Sequence, residues 1–371
     1  MSKITLVLLI FALLVLGIAR MRAGEEDVAP PSNLYYTRLE GAHTVVLKDT
    51  SLMAMRRPLR RNGFRFTTQP DKATFLMFHL QSDYVVMYDT VRSLGCSFVY
   101  SIRSIDLMAH KGSMYAHLSS TLSKETCAQH LPVTWVLTND VDRARIARDF
   151  DPSKMYIIKK NVQRQKGCRI TQDLDEIVRA HKQNYVVCQE IVMNNYVVNT
   201  RKINIRVYVV VVARKDVRVH MYTDGFMYYG TPDYSDARRD RDAHVTTGYV
   251  DRTVYRENPL TLQDLYRHLG RPKAATLREN IELTVRIIMR GFHDAVHDMD
   301  TEADCTNFVI TGWDLSVDMD LRCKVMEINK GPDLGFKEER DEALKRDMVL
   351  QTYRMVGLLQ DAPAARMVRI L

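Results

Sequence analysis

The run Ile203–Ala213, INIRVYVVVVA, constrains this chain more than any other segment. From Val207 onward it has no polar face, and most of it is β-branched. A half-exposed strand would alternate apolar and polar residues, so this pattern predicts a strand buried on both faces. Such a strand needs a packed layer on each side, which points to an α/β architecture. The 371 residues can supply those layers as one large domain or two to three lobes. Apolar residues at 46% and charged residues at 26% give a globular balance, not a disordered one. With Gly at 16 and Pro at 11, collagen-like and low-complexity readings fail.

Strands and helices alternate around this run. MYIIK (Met155–Lys159) and YVVCQ (Tyr185–Gln189) read as short strands. VRVHMYT (Val217–Thr223) follows the central run after a tight turn and is expected to pair with it antiparallel. TNFVITGWDLSVD and RCKVMEIN read as two strands joined by the acidic turn Asp318–Asp320. A helix is expected over Asp173–Lys182, opened by a D-x-x-E signal. A longer one is expected over Thr276–Met299, with Thr276 and Glu279 as a capping box. Leu277, Ile281, Val285, Ile288, Phe292 and Val296 form its apolar stripe. Upstream, TFLMFHL (Thr74–Leu80) is strand-like, and RRPLRR (Arg56–Arg61) reads as a solvated face.

The N-terminus differs from the rest. Ile4–Ala19 is almost purely apolar, flanked by Lys3, Arg20 and Arg22. As a helix it would reach about 24 Å, slightly short of a ~30 Å hydrocarbon core, and snorkelling cations can close the gap. It is expected to be a membrane anchor, with the remaining chain cytosolic. The rival is a cleaved signal peptide, because Gly17-Ile18-Ala19 is a small-x-small site. No Asn-x-Ser/Thr sequon occurs, which mildly disfavours a secreted history. GEEDVAPPSN (Gly24–Asn33) reads as a linker.

Of the six cysteines, none forms a C-x-x-C pair, so zinc and thioredoxin-like readings are weak; Cys188 and Cys323 lie in apolar runs and read as core residues. The balance of 53 Lys+Arg against 45 Asp+Glu, +8, favours acidic partners but is too diffuse to announce a nucleic-acid binder.

Chemistry concentrates at strand ends. In Met326-Glu327-Ile328-Asn329, Glu327 and Asn329 share one face. Antiparallel pairing can bring Asp314 alongside. These oxygens either form a solvated polar face or ligate Mg²⁺, which takes a few hard protein oxygens plus phosphates. Lys202, Asn204 and Arg206 alternate onto one face of the central strand. Two cations there are costly to bury unless they meet anions such as a triphosphate. Lys159 ends a strand before KNVQRQKGCRI (Lys160–Ile170), which is either a plain surface loop or a flexible phosphate cover around Gly167. It is not a Walker A loop, whose spacing is absent. His293 and His297 lie at i, i+4 on a helix, like a zincin pair. The intervening acid is Asp294, and dipole-favoured histidines near the helix end are the simpler reading.

These pieces, in this order, resemble the tubulin–tyrosine ligase-like family of ATP-grasp ligases over roughly Ile102–Phe336. LPVTWVL (Leu131–Leu137) is similar to the family's P-x-T-[YW]-x-L strand, and YIIKKNVQRQKGCRI to its phosphate loop. VVCQEIV resembles the adenine hinge, TRKINIRVYVVVVA the G-R-K-F-D-[IL]-R strand, and HVTTGYVDR (His244–Arg252) the H-[LV]-T-N segment. ITGWDLSVD with CKVMEINKGPDL resembles the closing G-x-D…E-[VI]-N-x-x-P element. The flavour looks like a divergent branch of the kind associated with large DNA viruses and protists.

The resemblance implies an ATP-grasp fold with an N-terminal lobe (35–135), a central lobe (136–202), a C-terminal lobe (203–350) and a tail (351–371), after an anchor (1–22) and linker (23–34). It implies ATP and Mg²⁺, with Lys159 and Lys202 on the phosphates and Gln189, Glu190, Ile191 and Val192 as the adenine hinge. Asn204 would lie at the nucleotide or acceptor and Arg206 at the reacting carboxylate; Asp314, Glu327 and Asn329 would hold the metal. Lys202, Arg206 and Glu327 would carry the catalysis. The implied reaction phosphorylates a carboxylate, and a free amino acid's amine then displaces the phosphate. The implied acceptor is an acidic peptide or protein, tubulin C-terminal tails included; nucleic acid is not a partner. The alternative is an inactive, membrane-tethered module that binds ATP or acidic peptides. Four positions depart from the family pattern: Asn204 for Asp, Tyr228 for Arg, Arg169 for the loop's second Gly and Thr247 for Asn.

Overall fold

A computed structural model of the chain describes residues 35–38, 44–47, 53–64, 73–77, 93–94, 96–162, 167–237, 240–246, 250, 252–301 and 304–371. The expected anchor, the linker, the end of the Thr74–Leu80 run and Thr247 lie outside the described residues. Among the described residues no helix is long and apolar enough to cross a membrane.

The described elements begin with β1 (Tyr35–Arg38), β2 (Thr44–Leu47), α1 (Met53–Arg61), β3 (Phe75–Met77) and β4 (Phe98–Tyr100). Then come α2 (Ile105–Ala109), α3 (Lys111–Thr121), α4 (Lys124–His130), β5 (Thr134–Val136), α5 (Asp140–Asp149), β6 (Tyr156–Lys160), β7 (Cys168–Thr171), α6 (Leu174–Arg179) and β8 (Tyr185–Glu190). The remainder is β9 (Val197–Val198), β10 (Arg201–Ala213), β11 (Val217–Tyr229), α7 (Arg241–His244), α8 (Arg252–Glu257), α9 (Leu262–Leu269), α10 (Arg271–Asp300), β12 (Thr306–Val317), β13 (Cys323–Asn329), α11 (Glu339–Val356) and β14 (Met367–Arg369).

β10 is the predicted central strand, and Ile205 through Ala213 are buried without interruption. It pairs antiparallel with β11 on one edge and β12 on the other. The large sheet runs β1-β2-β3-β4-β12-β10-β11-β14, with β13 also on β12. Strands β5-β8-β6-β7 form a separate four-stranded antiparallel sheet with its own core around Trp135, Tyr156, Ile158 and Cys188. Cys323 is buried in the main core, as its apolar context implied.

α10 lays the whole predicted stripe, Leu277 to Val296, into the main core. Each such side chain contributes about 1.5–3 kcal/mol of hydrophobic burial. α11 adds Leu344, Met348, Val349 and Tyr353, and Tyr353 meets Phe75 edge-on while Phe75 stacks on Phe308.

Two local expectations need correction. α10 starts at Arg271, not Thr276. Pro272 in the first turn has the fixed φ a helix start favours, and the Thr276 hydroxyl donates back to the Pro272 carbonyl at 3.3 Å. The capping box belongs to α9: Thr261 accepts from the Asp264 amide, and the Asp264 carboxylate accepts from the Thr261 amide. RRPLRR is not a uniformly solvated face. It lies in α1, where Met55, Leu59 and Arg56 are buried while Arg57, Arg60 and Arg61 face solvent. The D-x-x-E signal does open α6, with Asp173 accepting from the amides of Asp175 and Glu176.

The close approach of β10 and β11 requires Gly225. A Cβ there would lie 2.3 Å from the Arg206 carbonyl oxygen. Gly225→Ala is therefore expected to destabilise the fold by about 1–3 kcal/mol. Urea unfolding of the wild type and the variant measures it, and unchanged stability would contradict the backbone approach.

Candidate nucleotide and metal site

Two strands supply the acidic half of the site. Asp314 on β12 and Glu327 on β13 are direct cross-strand partners, and Asn329 lies opposite Gly312. The Asn329 Nδ2 donates to Glu327 Oε1 at 3.1 Å and to Asp314 Oδ2 at 3.4 Å. All three predicted oxygen-bearing side chains are thus together. Among the described residues, no group of three or more His, Cys, Asp and Glu gathers, and the side-chain oxygen nearest the two carboxylates' pairing is that of the Asn329 amide, which bonds to both. Two carboxylates and an amide fit Mg²⁺ by donor type, with the amide turned to present its oxygen. Asp314, Glu327 and Asn329 would hold the ion. His293 and His297, by contrast, stack on each other and pair with the acids that follow them, Asp294 and Asp298.

Arg206 does not stand free at this centre. It is the cross-strand partner of Asp314, and its Nε and Nη2 donate to Oδ1 and Oδ2 at 2.6 and 3.0 Å. Gly312 makes room for the guanidinium: a Cβ there would lie 2.9 Å from Arg206 Nη1. Burial lifts the Asp314 carboxyl to about 6 against the pull of Arg206, and the Glu327 charge adds to the lift. Burial would lift Glu327 too, but Lys111 and Lys159 hold it down to about 2.

Lys111 is a member of this cluster that the sequence did not reveal. It opens α3 and reaches Glu327 Oε2 at 3.2 Å. Nothing in KGSMYAHL marks it, because its acidic partner lies more than two hundred residues away in the chain. α3 also ties the helical layer to β13, where the Tyr115 hydroxyl donates to the Val325 and Met326 carbonyls.

The small sheet supplies Lys159 and the expected hinge. Lys159 is buried on β6, and among the described residues it makes no ion pair. Burial lowers its pKa, while Glu327 and Asp314 raise it and Lys111 lowers it, so its ammonium senses the acidic cluster from the other sheet. Beyond β6, Gly167 has φ +92° and a Cβ there would press on Lys160, which explains the one glycine of this loop. Residues 163–166, between these strands, lie outside the described residues. Arg169, at the expected second glycine, pairs with Glu176.

Gln189 is fully buried at the end of β8; its Nε2 donates to the Thr134 hydroxyl and its Oε1 has no partner. Glu190 pairs with Lys154, the Ile191 amide donates to the Met155 carbonyl, and the Val192 carbonyl accepts from Asn195. The hinge segment is therefore pinned on both sides.

Lys202 and Asn204 share the inward face of β10 with Arg206. Lys202 is 3% exposed and donates to the His244 carbonyl at 2.8 Å. Burial, then the like charge of Lys159, pulls its pKa down to about 7. The Asn204 Oδ1 is buried without a partner. Tyr228 is the cross-strand partner of Asn204, and the Arg206 guanidinium lies 5.0 Å from its ring centroid.

A large mixed sheet carrying acids and cations, with a small antiparallel sheet contributing a buried lysine and a pinned hinge, is consistent with an ATP-grasp-like α/β fold. The family model described as the tubulin-tyrosine ligase family matches residues 100–363. The chain belongs to that family. It is 27% identical over 186 residues to the probable tubulin polyglutamylase TTLL9 of Rattus norvegicus, covering 47% of this chain and 39% of the relative. It is 22% identical over 248 residues to the tubulin polyglutamylase TTLL6 of Mus musculus, covering 61% of this chain and 30% of the relative. It is 23% identical over 274 residues to the probable tubulin polyglutamylase TTLL2 of Mus musculus, covering 68% and 49%. The chain thus spans less than half the length of each of these relatives.

The Arg206–Asp314 pair yields a stability prediction. Asp314→Leu strands a buried guanidinium and should cost about 3–5 kcal/mol, whereas Arg206→Met/Asp314→Leu removes both charges and should cost much less. Urea unfolding of both variants tests this. A double variant no more stable than the single one would show that the pair does not carry the cost.

Proposed function

We propose that this chain is an ATP-dependent ligase that joins an amino acid to a carboxylate of an acidic protein, with tubulin tails the first acceptor to test. One observation carries the reading. Lys159 and Lys202 are buried, lie close enough for one to depress the other, and have no carboxylate partner among the described residues. Two such cations are costly to hold unless a polyanion joins them, and a triphosphate is the matching one. The orphaned Asn204 Oδ1 and Gln189 Oε1 are further buried acceptors awaiting a donor from a ligand.

Each side chain then has a task. Lys159 and Lys202 bind phosphate oxygens, and Gln189 to Val192 border the adenine. Arg206, fixed by Asp314, keeps positive charge beside the reacting carboxylate as its phosphate is displaced by the amine. Asp314, Glu327 and Asn329 hold magnesium, which when bound neutralises charge developing on the phosphoryl group. Lys111 keeps Glu327 ionised for that duty.

A second reading, an inactive module that binds ATP or acidic peptides, is favoured by one fact. Both ends of the Arg206 fork are already engaged by Asp314. Incubating the full chain with tubulin, Mg-ATP and labelled Glu, Gly or Tyr separates the two. The ligase reading expects incorporation of one of them, reduced at least about a hundredfold by Glu327→Gln. Tight Mg-ATP binding with no incorporation on any arm would favour the inactive module.

Lys202 gives a proton-linkage prediction. At pH 8 a lysine with pKa about 7 is mostly neutral, and a bound triphosphate raises that pKa, so binding takes up a proton. Calorimetric ATP titrations in buffers of different ionisation enthalpy should show this uptake at pH 8 and less at pH 6. Lys202→Met should abolish it; uptake unchanged in that variant would assign the proton elsewhere.

A further inference from the structure

A concave site opens where α9 meets the start of α10, and it shares no residue with the nucleotide and metal cluster. Its volume is about 430 Å³, and its lining includes Tyr266, Arg267, Arg271, Ala274 and Arg278 but no carboxylate. Arg278 lies over the Tyr266 ring at 5.1 Å, so its guanidinium is held against a buried aromatic face. Arg267 pairs with Asp264, but that carboxylate also faces Arg340 at 3.6 Å and accepts from two backbone amides. Its one negative charge is shared among several donors. Arg271 and Arg278 make no ion pair among the described residues. Arg340 links this cleft to a neighbouring depression with Arg252 and Arg256, where Glu338 and Glu339 offset the charge. The lining of the α9–α10 cleft itself presents no carboxylate; Glu282, one turn beyond Arg278, acts on the Tyr266 hydroxyl but lies outside the lining.

We propose that the cleft between α9 and α10 docks the acidic side chains of an extended peptide segment of the protein substrate. The purpose rests on the ligase reading; the binding itself does not. Planar guanidinium forks match carboxylates bidentately, and forks presented from two helices suit successive Glu or Asp side chains of one strand of peptide. A nucleic acid fits less well. The Tyr266 face is buried and already covered by Arg278, which leaves no platform for base stacking. Docking here would hold an acidic tail by its flank and raise the local concentration of its reacting carboxylate at the nucleotide site.

The test is fluorescence anisotropy of a labelled deca-glutamate peptide with the full chain. Arg271→Glu/Arg278→Glu is expected to weaken binding at least about tenfold and to flatten its salt dependence. Arg148→Glu/Arg179→Glu reverses the same charge at two exposed arginines elsewhere and is expected to leave binding nearly unchanged. Arg271→Lys/Arg278→Lys should fall between, because charge is kept and the fork is lost. If the reversed pair does not fold, Arg271→Gln/Arg278→Gln replaces it, with at least about a threefold loss expected. Equal weakening by the cleft and control pairs would overturn the proposal in favour of diffuse charge. Tighter binding of a single-stranded oligonucleotide, lost in the cleft variant, would overturn it in favour of nucleic acid. Mg-ATP affinity is read in parallel and should not change in the cleft variant. A wild type that fails to bind Mg-ATP sinks the ligase reading alone, and the peptide result then stands by itself.

Discussion

Burial of β10 on both faces is the constraint from which the site follows. A strand so placed has no solvent to hydrate a charge, yet its first half carries Lys202, Asn204 and Arg206. Arg206 is reconciled with the core by the carboxylate directly across the ladder, and the bidentate pair with Asp314 fixes both side chains. That fixation is what places the acid beside Glu327. The ion pair is not there to add stability, since hydrophobic residues of similar volume would do as well or better. It sets the position and ionisation of the groups around it.

The remaining charges come from both sheets and from α3. Lys111 and Arg206 are matched by Glu327 and Asp314. Lys159 on the small sheet and Lys202 at the start of β10 have no carboxylate within ion-pair distance among the described residues, and burial lowers the pKa of each. Two buried lysines without an ion-pair partner make the fold weaker than it could be. Such a defect is the pattern expected at functional sites more often than in structural cores.

Much of this was legible in the residues. β10 announced itself by uninterrupted β-branching, and the period of two put Glu327 and Asn329 on one face. Asp314 could be placed beside them because the turn at Asp318–Asp320 is short enough to force antiparallel pairing. Lys111 was invisible because no local period encodes a contact with a strand so distant in sequence. The start of α10 was misjudged because Thr276 and Glu279 have capping-box spacing, while the Gly-x-Pro just upstream, Gly270 and Pro272, was the stronger signal: Gly270 takes φ +75° and the proline sits in the first turn. The engagement of Arg206 by Asp314 was likewise hidden, since pairing register decides it and side-chain type does not.

The two departures at Asn204 and Tyr228 become one once the register is known. These positions are direct cross-strand partners on β10 and β11. The family pattern would put Asp opposite Arg there, a pair of opposite charges worth about 0.2–1 kcal/mol. This chain has a neutral amide opposite a neutral phenol, so the summed charge of the pair is unchanged. Tyr228 instead offers its ring to Arg206, at 5.0 Å, where an arginine would have set two guanidinium groups side by side. The exchange therefore spares Arg206 a like-charged neighbour. Counted separately, the substitutions look like two losses of machinery; paired, they are a single change that conserves the electrostatics of the core.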